Sequence, residues 1–199
     1  SAIQFVRYLA LAAARGVRVI LECQPPLLQL FRQSLAGPER PVGQLIAKGE
    51  PAPAFDRHAP LMSLPHLLGT TLATIPAEIP YLRAEDRDIA DWHARLAQAT
   101  RPRIGLVWAG NRRHENDRNR SMPAVALAGL IAGCDATFFS LQIPASADDL
   151  AAFPSGRVTD LAPHLPDFAA AAAALHALDL VISVDTATAH LAGALGRPA

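Results

Sequence analysis

An α/β fold with parallel sheets covered on both faces is the class this sequence predicts, and three observations carry the prediction. Strand-like and helix-like stretches alternate from end to end. Several strand-like runs, "VRVILEC" (17–23), "PRIGLVWAG" (102–110) and "DLVISV" (179–184), are apolar almost throughout instead of alternating, as strands buried on both sides are. The pattern also restarts after a polar helix and the stretch "TRPR". That restart puts a boundary near residue 100 and divides the chain into units 1–100 and 101–199.

The elements follow in order. Residues 3–14 read as a helix with Ile3, Val6, Leu9 and Ala13 on one stripe, stopped at Gly16. The strand 17–23 leads to Pro25 and Pro26, which open a short helix ending near Gly37. "VGQLI" (42–46) is a weak strand, and Asp56 to Ala59 is a further candidate edge. "PLMSLPHLLG" reads as helical turns broken by Pro65, and "IPAEIPYL" as an extended connector. At 85–99, Ile89, Trp92 and Leu96 share one helical face, and acidic residues crowd the start. In the second unit, strands are expected at 102–110, 136–142, 158–161 and 179–184. Helices are expected from Pro123 to about 132, at 146–152, at 165–178 and over "TATAHLAGALG". A mononucleotide-type unit opens on a strand, whereas this chain opens on a helix, and it stops where another strand is due. Chain is therefore expected to be missing at both ends.

Bulk composition excludes several classes. The formal net charge is zero and only 18% of residues are charged, so no strongly basic face for nucleic acid is expected. Cys23 and Cys134 are the only cysteines, too few for a metal quartet, and read as small buried residues of a reduced compartment. Arg7 and Arg15 interrupt the N-terminal apolar run, so it is not a signal peptide. No stretch reaches the roughly 20 apolar residues of a membrane span. The chain is expected to be soluble and cytoplasmic.

Ligands on open parallel sheets bind beyond the carboxyl ends of strands, and two stretches lie there. In "SVDTATAH", Asp185 can cap a helix beginning at Thr186, whose free N–H groups and positive dipole end suit a phosphate. Thr186 and Thr188 add hydroxyls, and Ala187 and Ala189 keep the mouth small. Thr186, His190 and Gly193 share one face, while Leu191 and Leu195 face the sheet. The same residues read equally as a plain cap followed by an interfacial histidine. In "WAGNRRHENDRNRSMP", Arg112, Arg113, Arg118 and Arg120 stand against Glu115 and Asp117, with Asn111, His114, Asn116 and Asn119 between. Arginine forks suit phosphate oxygens, which makes this loop an anion-binding lid; the alternative is a solvated loop of self-neutralising charges. Neither a Walker-type loop nor GxGxxG occurs. Weaker candidates are His58 and His66, facing a cleft if their loops turn inward, and the trio Glu22, Cys23 and Gln24 at a strand end. His93 reads as exposed, His176 as a partly buried spacer, and Asp160 and Asp179 as turn or cap residues.

Four stretches together carry a resemblance: "FVRYLALAAARGVRVILECQPPLLQLF", "FDRHAPLMSLPHLLGTTLATIPAEIPYL", "IGLVWAGNRRHENDRNRSMP" and "DLVISVDTATAHLAGALGRP". The sequence resembles the glycosyltransferase-like domain of bacterial tetratricopeptide-repeat proteins. That domain is similar to the lipopolysaccharide ADP-heptose glycosyltransferases of family 9 and, more distantly, to protein O-GlcNAc transferases. The resemblance implies a GT-B architecture, two Rossmann-like domains with parallel sheets facing a cleft: 1–100 on the acceptor side, 101–199 binding the nucleotide-sugar. It implies a diphosphate cradle of Asp185, Thr186, Ala187 (where the family has glycine) and His190. Arg120 stands in the place of a phosphate-binding lysine, Arg118 lies on the same loop, and Asn111 lies near the nucleotide. The family's acidic base lies by a glycine-rich turn that would precede Ile3, so the catalytic residue is expected upstream of Ser1.

The function implied is metal-independent, inverting transfer from a nucleotide-diphosphate sugar, with no tightly bound cofactor. The acceptor would be a hydroxyl of a carbohydrate, a lipid-linked molecule or a protein. Two other classes stay open: a degenerate nucleotide-binding or scaffold domain attached to repeats that bind a partner protein, and a different nucleotide-dependent α/β enzyme.

Overall fold

The computed structural model describes residues 1–37, 40–111 and 115–199. Among them, six strands form two separate parallel sheets. The first sheet pairs β1 (Val19–Cys23) with β2 (Val42–Ala47). The second contains β3 (Arg103–Val107), β4 (Thr137–Ser140), β5 (Val158–Asp160) and β6 (Leu180–Ser183) in the order β5-β4-β3-β6. The three expected strands near 104, 137 and 179 thus lie side by side and parallel, and the 17–23 strand belongs to the other sheet.

Helices join the strands. α1 (Ala2–Phe5) and α2 (Leu9–Ala13) flank a 3-10 turn and act as one rod. Ile3, Val6 and Leu9 are buried along it, as the stripe requires. α3 (Leu28–Leu35) follows the turn opened by Pro25 and Pro26. Pro65 lies in the first turn of α4 (Leu64–Leu67), where its missing N–H has no intrahelical partner to lose, so it opens this turn instead of breaking it. The expected edge at Asp56 to Ala59 is not a strand. Pro51, Pro53 and Pro60 fix φ and remove ladder donors around it.

α5 (Asp86–Arg95) buries Trp92, and Leu96 just beyond it, and keeps Asp86 and Asp88 in its first turn. α6 (Ala128–Gly133), α7 (Ala147–Ala151), α8 (Phe168–His176) and α9 (Ala187–Ala194) alternate with the strands of the larger sheet. Asp179 accepts the Arg103 N–H at 2.8 Å and pairs with Arg101 at 3.2 Å, tying the starts of β6 and β3. The 81–83 connector is stitched to both halves. Tyr81 and Leu82 donate to the Ala194 carbonyl at the end of α9, and the Arg83 carbonyl accepts from Gln33 and Ser34 on α3.

The larger sheet is covered on both faces. Ile104, Leu106, Trp108 and Phe138 point into a cluster with Ala124, Leu127, Ile131 and Phe153. Val107, Phe139, Leu141 and Val181 point the other way, into a larger cluster that also holds α8, α9, Trp92 and the buried residues of α1, α3 and β1. Burial on both sides is why these strands read as continuous apolar runs. Among the described residues, no helix is long and apolar enough to cross a membrane.

Candidate functional site

The order β5-β4-β3-β6 fixes where a ligand can enter. From β3 the chain builds outward through β4 and β5, then returns to the opposite side of β3 as β6. The direction of winding reverses between β3 and β6, and the crevice beyond the carboxyl ends of two such strands is the binding position of open α/β sheets. The loop after β3 and the turn after β6 meet there.

The loop after β3 is anchored at its base. The Met122 N–H donates to the Trp108 carbonyl at 2.9 Å, and the Gly110 N–H donates to Ser121 Oγ at 2.9 Å. Ser121 in turn donates to Asp117 Oδ1 at 2.6 Å. The N–H groups of Trp108 and Ala109 both donate to the buried Gln142 Oε1, at 3.2 and 2.9 Å, which fixes the end of β3. A single 3-10 turn, Asp117–Asn119, then delivers Arg120 toward β6. Asn111 and Arg118 are exposed on this loop. Arg112, Arg113 and His114, expected to share the lid, lie outside the described residues.

The turn after β6 corrects the expected cap. Thr186, with extended backbone, occupies the N-cap position of α9, and no side chain caps the helix. The Asp185 carboxylate turns instead to two side chains: Oδ2 is 3.2 Å from Arg120 Nε and Oδ1 is 3.4 Å from His190 Nε2. Arg120 also donates through Nη2 to the Asp185 carbonyl. A carboxylate beside a free guanidinium takes the charge contact, and the helix N–H groups are left without a side-chain acceptor.

Thr186 Oγ1 lies 2.8 Å from Ser183 Oγ, which itself donates to the Val184 carbonyl at 2.7 Å. The Thr186 proton is therefore spent on Ser183, and the hydroxyl has none to offer an anion. What remains for an anion at this mouth is the backbone N–H row of α9, the Arg120 guanidinium and His190. Ala187 and Thr188, half-buried, line the first turn. His190 is half-buried and its pKa is lowered from 6.5. Burial is the main cause. The positive charges of Arg120 and Arg7 add to it, and Asp185 opposes. Leu191 and Leu195 are buried against the sheet side, as expected.

The remaining candidates are not brought to this crevice. His58 and His66 are exposed, His58 edge-on to Phe55 with centroids 6.0 Å apart. Glu22 is exposed within β1, and Gln24 precedes the Pro25 turn without capping it. Burial is the main cause that raises the Cys23 thiol to about 11, so the thiolate is scarce at neutral pH. His93 is exposed, His176 is half-buried, and Asp160 closes a turn by accepting the Ala162 N–H at 3.1 Å.

Sequence reasoning missed Ser121, Gln142 and Ser183. A signal existed for two of them: Gln142 and Ser183 are polar residues at the carboxyl ends of apolar strands. Two cavities, of about 250 and 350 Å³, lie elsewhere, against α5 and α8. Among the described residues, no three His, Cys, Asp or Glu side chains are grouped to hold a metal ion.

The sequence model of glycosyltransferase family 9 (heptosyltransferase) matches residues 94–199, just over half of the chain. This range contains every residue of the crevice named above. No curated protein and no solved structure matches the chain.

Proposed function

The chain belongs to glycosyltransferase family 9 (heptosyltransferase), and on that footing we propose that it transfers a sugar from a nucleotide-diphosphate sugar to an acceptor hydroxyl. The acceptor oxygen bonds to the anomeric carbon while the bond from that carbon to the phosphate oxygen breaks. The electron pair leaves with the diphosphate, and the hydroxyl proton passes to a base. A single displacement of this kind inverts the anomeric carbon. The main electrostatic task is the charge gathering on the departing diphosphate. Arg120 and the amino end of α9 supply positive charge for it without a metal ion. The diphosphate lies against the backbone of Thr186 and Ala187 with His190 beside it. Asn111 and Arg118 lie toward the nucleotide, and unit 1–100 serves the acceptor.

One observation carries this reading. Arg120 from the β3 loop, His190 from α9 and the uncapped helix start converge on the crevice where the winding of the sheet reverses. A second reading, a domain that holds a nucleotide without turning it over, is favoured by Ala187, whose methyl group stands at the helix mouth where glycine would admit a phosphate more closely.

Titration calorimetry with ADP, GDP and UDP tests the site. At least one should bind, and Arg120→Ala should weaken it by about 1.5–3 kcal/mol, the worth of a charge-assisted hydrogen bond. Absence of binding by all three, or equal affinity in Arg120→Ala, ends the reading. Release of nucleoside diphosphate from the matching nucleotide-sugar separates the transferase from the domain that only binds.

A further inference from the structure

The Arg120 guanidinium beside the mouth of α9 is already engaged by the protein itself. The Asp185 carboxylate contacts both Arg120 and His190, and the Asp185 backbone carbonyl accepts from the same guanidinium. This contact joins the loop after β3 to the turn after β6, across residues 65 positions apart. It is also imperfect. Arg120 Nε is shielded from solvent and lies 3.2 Å from Asp185 Oδ2, yet it makes no aligned hydrogen bond. A shielded donor left unaligned favours any acceptor that can reach it with better geometry. Phosphate oxygens match a guanidinium fork well.

We propose that Asp185 is an internal competitor for Arg120: without ligand it holds the guanidinium across the mouth of α9, and a diphosphate binds by taking that guanidinium over. The proposal rests on the assignment of the α9 mouth as the diphosphate site. Asp185 is largely exposed, so the pair is worth little, on the scale of exposed ion pairs. That suits a latch, which has to yield to a ligand of higher charge. Releasing the latch also loosens the loop 115–122 from β6, while the Trp108–Met122 and Gly110–Ser121 bonds still hold its base.

The test is the affinity of inorganic pyrophosphate and ADP for the wild-type chain, Asp185→Asn, Arg120→Ala and the double variant, with Asp185→Ser as a second removal of the carboxylate. Relief from competition should tighten binding about twofold to fivefold in Asp185→Asn and Asp185→Ser, the factor that corresponds to an exposed ion pair. In the Arg120→Ala background the same change should gain nothing. Asp91→Asn, an exposed carboxylate on α5, should leave affinity unchanged. Limited trypsin digestion without ligand gives a second readout: the Arg120–Ser121 bond should be cut faster in Asp185→Asn than in wild type.

Unchanged or weaker binding in both Asp185 variants overturns the latch and leaves the proposed function standing, provided that Arg120→Ala still weakens binding. An equal gain with and without Arg120 means plain repulsion by Asp185 and also overturns the latch. If Arg120→Ala binds as tightly as wild type, the diphosphate assignment falls and takes the latch with it.

Discussion

His190 shows how one side chain is set by its surroundings. Burial, with the positive charges of Arg120 and Arg7, lowers its pKa from the ordinary 6.5, and Asp185 opposes only in part. The imidazole is therefore neutral at pH 7, and its 3.4 Å approach to Asp185 is a polar contact, not an ion pair. The unfolded chain takes up its proton first as pH falls, so the contribution of a neutral His190 is intact above 6.5 and is lost as pH drops through the lower folded value. A diphosphate bound at the proposed site would reverse the local field and raise the His190 pKa, so that binding would take up a proton. Affinity for nucleoside diphosphate should rise as pH falls from 7 toward 6. Titration calorimetry in two buffers of different ionisation enthalpy should show that uptake, and His190→Gln should abolish it. The diphosphate's own ionisation is common to both proteins, so an equal proton count in the wild-type chain and His190→Gln removes His190 from the phosphate environment. The helix that carries His190 was legible from the sequence. The destination of Asp185 was not, because a capping residue and a charge partner look alike until the loop carrying Arg120 is folded beside it.

β3 is one of the two interior strands of its sheet, and Gly105 is its tightest point. A Cβ added there would lie 2.7 Å from Leu141 Cδ1 and 2.8 Å from Leu178 Cδ1, closer than packed atoms tolerate. The backbone of Gly105 pairs with Phe139 on one side and Val181 on the other, so the strand cannot retreat without breaking both ladders. Gly105→Ala should therefore destabilise the fold by about 1–3 kcal/mol, the usual penalty of overpacking, seen as a lower midpoint in urea with an unchanged slope. An unaltered midpoint means that Leu141 and Leu178 move aside freely. Most elements were legible because strands buried on both faces leave unbroken apolar runs and amphipathic helices leave a stripe. The edge expected at Asp56 to Ala59 failed because prolines on either side outweigh its local pattern. The crevice between β3 and β6 was hidden for a different reason. Strand order is a property of pairing, and no periodicity in the chain states that β6 lies beside β3 and not beyond β5.

The two sheets do not share a ladder, yet one apolar cluster runs between them. Phe31 and Leu30 of α3, Ile3 and Val6 of the first rod, and Leu21 of β1 are buried in the same cluster as Leu175 of α8, Leu191 of α9 and Val181 of β6. α5 and α3 both pack on α8, and α1 packs on α9. A two-stranded parallel sheet has little independent stability, so β1 and β2 depend on this seam for most of their cover. The division near residue 100 is therefore a change of sheet without a gap in the core, and unfolding should be one event. Phe31→Ala deletes a fully buried ring and should cost about 3–5 kcal/mol. Because the seam is common, that loss should also lower the melting of the distant sheet. Trp108 reports on that sheet from the other cluster, packed on Phe153 with centroids 5.2 Å apart. Trp92→Phe makes Trp108 the sole indole, since the chain has two tryptophans. In that background the Trp108 fluorescence midpoint and the far-ultraviolet circular dichroism midpoint should coincide, and Phe31→Ala should move both together. If Phe31→Ala melts part of the dichroism signal early and leaves the Trp108 transition in place, the first hundred residues fold as a separate unit. Arg120, Asp185 and His190 would then be held by the second unit alone.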